Sequence, residues 1–370
     1  MNRSLLVLSL SALPLLPQPA LAQSSVTIYG ILDAGLLANN SGKGTVKRVD
    51  TSQLAGNRLG FRGSEDLGDG LSANFNLQMG FSPDTGALGQ GGRAFGREAS
   101  VGLASKTYGS INFGRIPESY YLAVFVVDAF RAGQAGGFLG VTRSTATATS
   151  QLLPLYVSAR MDNSISYSSP TLGGFRGQLQ VSAGEGSASV GRGYGGSLRY
   201  AGGSWDVVAS FAQQDGANGR GKDLGYTAGG SYDFGPAMVL LGYTAEKNSC
   251  ATCGTRAEGV TATGASEFRY LNAGVRVPFG LFTAIAQVTR LQDRSDYAVA
   301  TGNRDATMIG VGYEYLMSKR TVLYGSMGTV DNRNGSNYAI GAGAAQLPAN
   351  SVGPNNPRSK TVSAGVLHYF

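Results

Sequence analysis

The sequence predicts an all-β fold, a 16-stranded antiparallel transmembrane β-barrel, on three observations. Apolar and polar residues alternate in segments of about ten along most of the chain. The turns between these segments fall into two length classes, short and long. Beyond the N-terminus, no stretch approaches the roughly 18 apolar residues that a membrane-spanning helix needs. Composition agrees. Gly supplies 56 of 370 residues, about double ordinary usage, while Pro is only 12 and charged residues only 14%. Mean hydropathy is −0.05, so the chain is not uniformly apolar. These values exclude a helical membrane protein and argue against a highly charged cytosolic enzyme or a disordered tail. One His and two Cys leave little for His-rich metal sites or Cys-ligated clusters, and no metal or cofactor is expected.

Residues 1–22 read as a secretory signal. Arg3 is the positive start, residues 5–16 are a short apolar run, and Ala20-Leu21-Ala22 is a small-x-small cleavage site. The barrel domain is then residues 23–370, with a net charge of +6 once Arg3 is removed from the +7 total.

The strands follow from period two. In residues 71–81, Leu71, Ala73, Phe75, Leu77, Met79 and Phe81 share one face, and Ser72, Asn74, Asn76, Gln78 and Gly80 the other. A helix would scatter those apolar residues around its circumference. In residues 174–184, Phe175, Leu179, Val181 and Ala183 oppose Arg176, Gln178, Gln180 and Ser182. Trp205, Val207, Ala209 and Phe211 repeat the pattern, as do Leu224, Tyr226, Ala228, Tyr232 and Phe234, and Ile309, Val311, Tyr313 and Tyr315.

Short turns are read at 66–70, 106–110, 170–174, 201–204, 233–237, 278–280 and 317–320. Long loops are read at 39–52, 82–93, 116–160, 184–193, 214–222, 248–265, 293–304 and 331–359. Together they join sixteen strands with both termini on the short-turn side. Short periplasmic turns and long external loops are the asymmetry of an outer-membrane barrel. A soluble sandwich would not sort its turns this way, and a propeller would show a repeated motif. Aromatics next to turns form an interfacial girdle: Tyr29, Tyr108, Phe113, Tyr167, Phe175, Tyr200, Tyr232, Phe234, Phe279, Phe282 and Tyr315. The chain ends on an alternating strand with His368 and a terminal Phe370, the form of address used by the barrel assembly machinery.

Several stretches, in order along the chain, resemble the trimeric general porins of β-proteobacterial outer membranes. They are VTIYGILDAG from Val26, RLGFRGSEDLGDG from Arg58, GGRAFGREASVG from Gly91, INFGR from Ile111, RMDNSISY from Arg160, LMSKRTVLY from Leu316 and the closing His368-Tyr369-Phe370. The resemblance implies a homotrimer of barrels in the outer membrane, among lipid and lipopolysaccharide, with no nucleic-acid partner. It implies a third long loop, residues 116–159, folded into the lumen, and a basic cluster on the wall opposite.

Parity puts Arg58 and Arg62 inward, since Leu59 and Phe61 face out, and puts Arg160 inward with Ser164, Ser166 and Ser168. Arg58, Arg97 and Arg160 fall on motif positions of the implied cluster. Arg97, however, shares parity with Ala99, Val101 and Leu103, so it needs a bulge or a place above the belt to reach the lumen. Arg93 and Arg115 are weaker candidates. The facing loop offers Glu118 and Asp128 as its acids. Gln78 stands where many relatives carry an acid, and Arg176 lines the lumen. The expected activity is passive diffusion of small hydrophilic solutes and ions, with a preference for anions. The alternatives are a substrate-selective porin, or an enzyme or adhesin barrel without an open pore. Neither rival has its signature: no ladder of arginines and aromatics, and no base for a Ser-His-Asp triad with the lone His in the terminal strand. Cys250 and Cys253 lie in a long loop, and an oxidising compartment favours a small disulfide between them.

Overall fold

The computed structural model describes residues 25–138, 141–144, 149–151, 159–184, 191–215, 221–248, 266–295, 304–336, 338–341 and 358–370. The expected signal and both cysteines lie outside these residues. The strands are β1 (Ser25–Asn40), β2 (Thr45–Thr51), β3 (Arg58–Gly68), β4 (Leu71–Gly80), β5 (Glu98–Ser105), β6 (Gly109–Pro117), β7 (Val141–Ser144), β8 (Thr149–Gln151), β9 (Arg160–Ser168) and β10 (Phe175–Ser182). They continue with β11 (Gly193–Gly202), β12 (Trp205–Asp215), β13 (Lys222–Asp233), β14 (Met238–Asn248), β15 (Ser266–Phe279), β16 (Phe282–Asp293), β17 (Ala306–Leu316), β18 (Thr321–Asn332), β19 (Tyr338–Ile340) and β20 (Ser359–Tyr369). One helix, α1 (Ser119–Val127), follows β6.

All main-sheet pairings are antiparallel neighbours, and β20 closes the sheet on β1, from Ile31↔Tyr369 to Asn40↔Lys360. Gly30 and Phe370 extend that seam by exchanging backbone hydrogen bonds at 3.1 and 3.2 Å. β2 and β3 stack end to end along β1, so seventeen strands in the sheet make sixteen around the barrel. Among the described residues, closure leaves the main sheet without an unpaired edge strand. β19, β7 and β8 form a separate small sheet.

Burial runs opposite to that of a soluble protein. On β10, Leu179 is 62% exposed while its neighbour Gln180 is 1% exposed. The same inversion holds where Tyr243 is exposed beside buried Thr244, and Leu271 beside buried Asn272. The apolar exterior matches hydrocarbon, and the polar face is turned away from it.

Two sequence expectations need correction. The loop read at 39–52 is mostly strand: β2 pairs back on β1, from Ala34↔Thr51 to Asn40↔Thr45. Its β-branched Thr45, Val46, Val49 and Thr51 favour strand, and the charges between them hide the alternation. Tyr29 does not join the girdle. It lies on the polar face, where its hydroxyl donates to Asn76 Oδ1 at 2.6 Å.

The segment after β6 packs on the polar face of the far wall. Its sequence, SYYLAVFVV, is rich in β-branched residues and carries no polar stripe, so its helix is a product of packing and capping. α1 lies against β11 to β14. Ala123, Val124, Val127 and Phe138 join Phe268, Tyr270, Leu291, Met308 and Val330 in a buried apolar cluster. Asn272 Nδ2 donates to the Val127 carbonyl, and the Ala129 amide donates to Gln287 Oε1 at 2.8 Å. Farther along, the Ala135 amide donates to Ser326 Oγ at 3.0 Å. Among the described residues, the segment therefore covers the wall from β11 to β18 and leaves most of β3 to β6 and β9 bare.

Candidate channel constriction

Three arginines converge on the bare side. Arg58 opens β3, Arg160 opens β9, and Arg97 stands one residue ahead of β5. Because the strand begins only at Glu98, Arg97 escapes the parity that would have turned it outward. Its Nε donates to Gln78 Oε1 at 2.8 Å, and its guanidinium lies against Gly56, where a Cβ would sit 2.7 Å from Nη1. Arg160 Nε donates to the Arg97 carbonyl at 2.7 Å, and Arg58 Nε donates to the Gly56 carbonyl at 2.9 Å. Burial, and then the like charges of Arg58 and Arg160, lower the Arg97 pKa to about 9. The guanidinium therefore stays charged at neutral pH. Across from the cluster, α1 presents Tyr121, whose ring centroid is 5.8 Å from the Arg160 guanidinium carbon.

Gln78 bridges Arg97 and Tyr29, donating from Nε2 to the tyrosine hydroxyl at 3.0 Å. Arg62 lies nearer the short-turn end, with its guanidinium carbon 4.9 Å from the Tyr29 ring centroid. Arg176 is exposed on the polar face of β10, in register with Arg199, which Asp206 holds with two hydrogen bonds at 2.6 and 2.5 Å. Arg93 and Arg115 both turn to Asp162, Arg93 at 2.8 Å.

The two loop acids serve the loop itself. Glu118 is fully buried and caps α1, accepting from the amides of Tyr120 at 2.6 Å and Tyr121 at 3.2 Å. Burial raises its pKa to about 7, against the opposing effect of those hydrogen bonds. Asp128 is also fully buried, accepting from the amides of Phe130, Ala132 and Phe138 at 2.9, 3.2 and 3.1 Å. Burial raises its pKa to about 6. Neither carboxylate is presented to the arginines.

Sequence reasoning missed two groups. Glu98 pairs in register with Gln78, accepts from Ser100 Oγ at 2.8 Å, and interacts electrostatically with the cluster's Arg160. Its parity with Ser100 and Gly102 was the available signal. Arg276 and Glu314 hold the loop from the far wall: Arg276 donates to the Ala129 carbonyl at 2.6 Å and to Glu314 Oε2 at 2.7 Å. At the seam, His368 Nδ1 lies 3.0 Å from Thr321 Oγ1, and the Phe370 ring packs over Gly30.

A closed sixteen-strand barrel, apolar outside and lined by arginines on its polar face, is the architecture of an outer-membrane channel. The family model for Gram-negative porins matches residues 9–335, and the chain belongs to that family. It is 31% identical to outer membrane porin protein 32 of Delftia acidovorans over the whole of both chains. It is 28% identical to an outer membrane porin of Bordetella pertussis, over 82% of this chain and 88% of the relative. Among solved structures it is similar to an anion-selective porin from Comamonas acidovorans, with a TM-score of 0.77 and 27% identity over 94% of this chain and 100% of that one. Its location is the outer membrane and its activity that of a porin.

Proposed function

We propose that the chain is a passive, anion-preferring diffusion channel whose narrowest point lies between Arg58, Arg97 and Arg160 and the 116–159 segment. On this reading the segment folds into the lumen, and Glu118 and Asp128 contribute to its fold rather than to the charge of the path. Arg62 and Arg176 extend the positive lining toward the periplasm. The observation that carries the reading is the convergence of Arg58, Arg97 and Arg160, with Arg97 on the Gln78 amide oxygen and Arg58 on a backbone carbonyl, opposite a loop whose acids are buried. An eyelet narrower than a Debye length of about 8 Å is poorly screened, so a few fixed charges set its sign. The channel has no catalytic step, a view supported by relatives that are named as porins.

The assembly is a homotrimer, as the sequence resemblance implies. Its outer-leaflet partner is lipopolysaccharide. Lys247, Arg269 and Arg290 stand on the outward face at the long-loop ends of β14, β15 and β16, just above exposed Tyr243, Leu271 and Val288. His368 and Phe370 serve the assembly machinery. The test is single-channel recording in a planar bilayer under a potassium chloride gradient. Conductance steps in threes with a reversal potential favouring chloride are expected, and a cation preference would overturn the account of the constriction.

A further inference from the structure

The second barrel strand is interrupted. Between the pairs Ile31↔Arg58 and Ala34↔Thr51, β1 has two residues and the opposite strand has the six of 52–57. The excess does not loop out into the lipid. It turns onto the polar face, where one carboxylate fixes it. Asp33 is fully buried, and its oxygens accept from the Leu54 amide at 2.6 Å, the Ala55 amide at 2.7 Å and the Tyr324 hydroxyl at 2.5 Å. Its backbone joins in: the Asp33 amide donates to Asn57 Oδ1 at 2.5 Å, and the Asp33 carbonyl accepts from Asn57 Nδ2 and the Ser52 amide, both at 3.1 Å. A buried carboxylate is costly unless its oxygens are satisfied, and here three donors satisfy it.

The fixed segment touches both sides of the constriction. The Gln134 amide donates to the Gln53 carbonyl, and Gly133 abuts the Leu54 carbonyl, so one end meets the 116–159 segment. At the other end Gly56 accepts from Arg58 and packs on Arg97. We infer that Asp33 is a positioning residue for the constriction, holding residues 52–57 as a second inward element that ties the loop to the arginine wall. The inference rests on the reading that the arginine triad is the constriction. Asp33 itself touches no permeating ion.

The signs of two effects separate this role from simple electrostatics. Deleting a negative charge near the arginines would by itself raise the preference for anions. Releasing residues 52–57 would free Arg58 and Arg97 and widen the path, which lowers it. The experiment compares wild type, Asp33→Ala and Tyr324→Phe as refolded trimers, with heat-modifiable gel mobility as the check on the barrel. Amide hydrogen exchange and the chloride/potassium permeability ratio are measured on each. In folded Asp33→Ala, exchange across 52–57 is expected to rise at least tenfold and the ratio to fall at least twofold. Tyr324→Phe, which leaves the charge in place, is expected to move both readouts the same way by less. Unchanged exchange in the folded variants overturns the inference, as does a rise in the ratio. If Asp33→Ala does not fold, an unmoved exchange rate in Tyr324→Phe overturns it alone. A wild-type channel without chloride preference would instead defeat the constriction reading, while exchange still tests the clamp.

Discussion

Arg97→Gln removes one charge from the centre of the triad while keeping an amide that can reach Gln78. Take a permeating ion at about 6 Å from the Arg97 guanidinium, the separation of two charges with a layer of water between them. At ~6 Å in a water-like dielectric, a unit charge is worth about 0.7 kcal/mol. Screening over a Debye length of ~8 Å reduces that to roughly half. Anions and cations shift in opposite directions, so the permeability ratio moves by about 0.7 to 1.4 kcal/mol, or roughly 3- to 10-fold. The assay is the zero-current potential of refolded channels under a salt gradient, repeated at higher mean salt. The chloride/potassium ratio is expected to fall within that range, and the effect to shrink as salt rises. A ratio unchanged at low salt would refute the claim that Arg97 faces the ion path.

Three further outcomes are expected. Gln78→Glu places a carboxylate where Arg97 Nε now meets a neutral oxygen at 2.8 Å, so it should lower anion preference about as much as deleting the arginine, again read as a reversal potential. Glu118 ties the docked loop to pH: its carboxyl binds a proton more tightly docked, with a pKa of about 7, than free, near 4.5. Docking is therefore strongest below about pH 4.5 and weakens as pH rises to about 7, by at most about 3 kcal/mol. After correction for intrinsic rates, the Tyr120 and Tyr121 amides should be better protected at pH 5 than at pH 8, and the reverse order would refute this. Arg276→Ala takes the ion-pair partner from Glu314, leaving it the Gln134 amide at 3.4 Å, and frees the Ala129 carbonyl, a loss of about 3 kcal/mol that should appear as faster exchange across residues 128–138.

The strands were legible because a barrel in lipid imposes period two on every one of them, and turn length supplied their direction. The signal fails where a second layer covers the polar face. Phe268, Tyr270, Leu291, Met308 and Val330 are apolar at positions where parity calls for polar residues, because the 116–138 segment packs on them. No single strand reveals that layer. Arg97 was harder to place for a related reason. Parity applies only to residues inside the ladder, and the ladder starts one residue later. The roles of Glu118 and Asp128 depend on which amides lie within reach, a tertiary fact that residue type does not carry. The six-residue break at 52–57 lay just past what read as a loop ending at 52, where Ser, Gln, Gly and Asn suit a turn or the polar face of a strand alike.

The arginines of this barrel divide by the nature of their acceptors. Arg199 is matched by Asp206, Arg276 by Glu314, and Arg93 and Arg115 share Asp162. The first two pairs hold geometry and cancel field, while Arg93 and Arg115, with one carboxylate between them, are half neutralised. Arg97 is held by an amide oxygen, and Arg58 and Arg160 each place Nε on a backbone carbonyl. A neutral acceptor fixes a guanidinium without neutralising it, which is what a selective constriction needs from a rigid charge. The complementary economy operates on the loop. Its two acids are consumed by backbone N–H groups that burial would otherwise leave unpaired, so folding the loop also removes its negative charge from the path. On the proposed reading, positive sign at the constriction arises less from an excess of arginine than from where the carboxylates are spent. The net charge of +6 over residues 23–370 does not encode this, because Glu118 and Asp128 are subtracted in that total although backbone amides hold both of them.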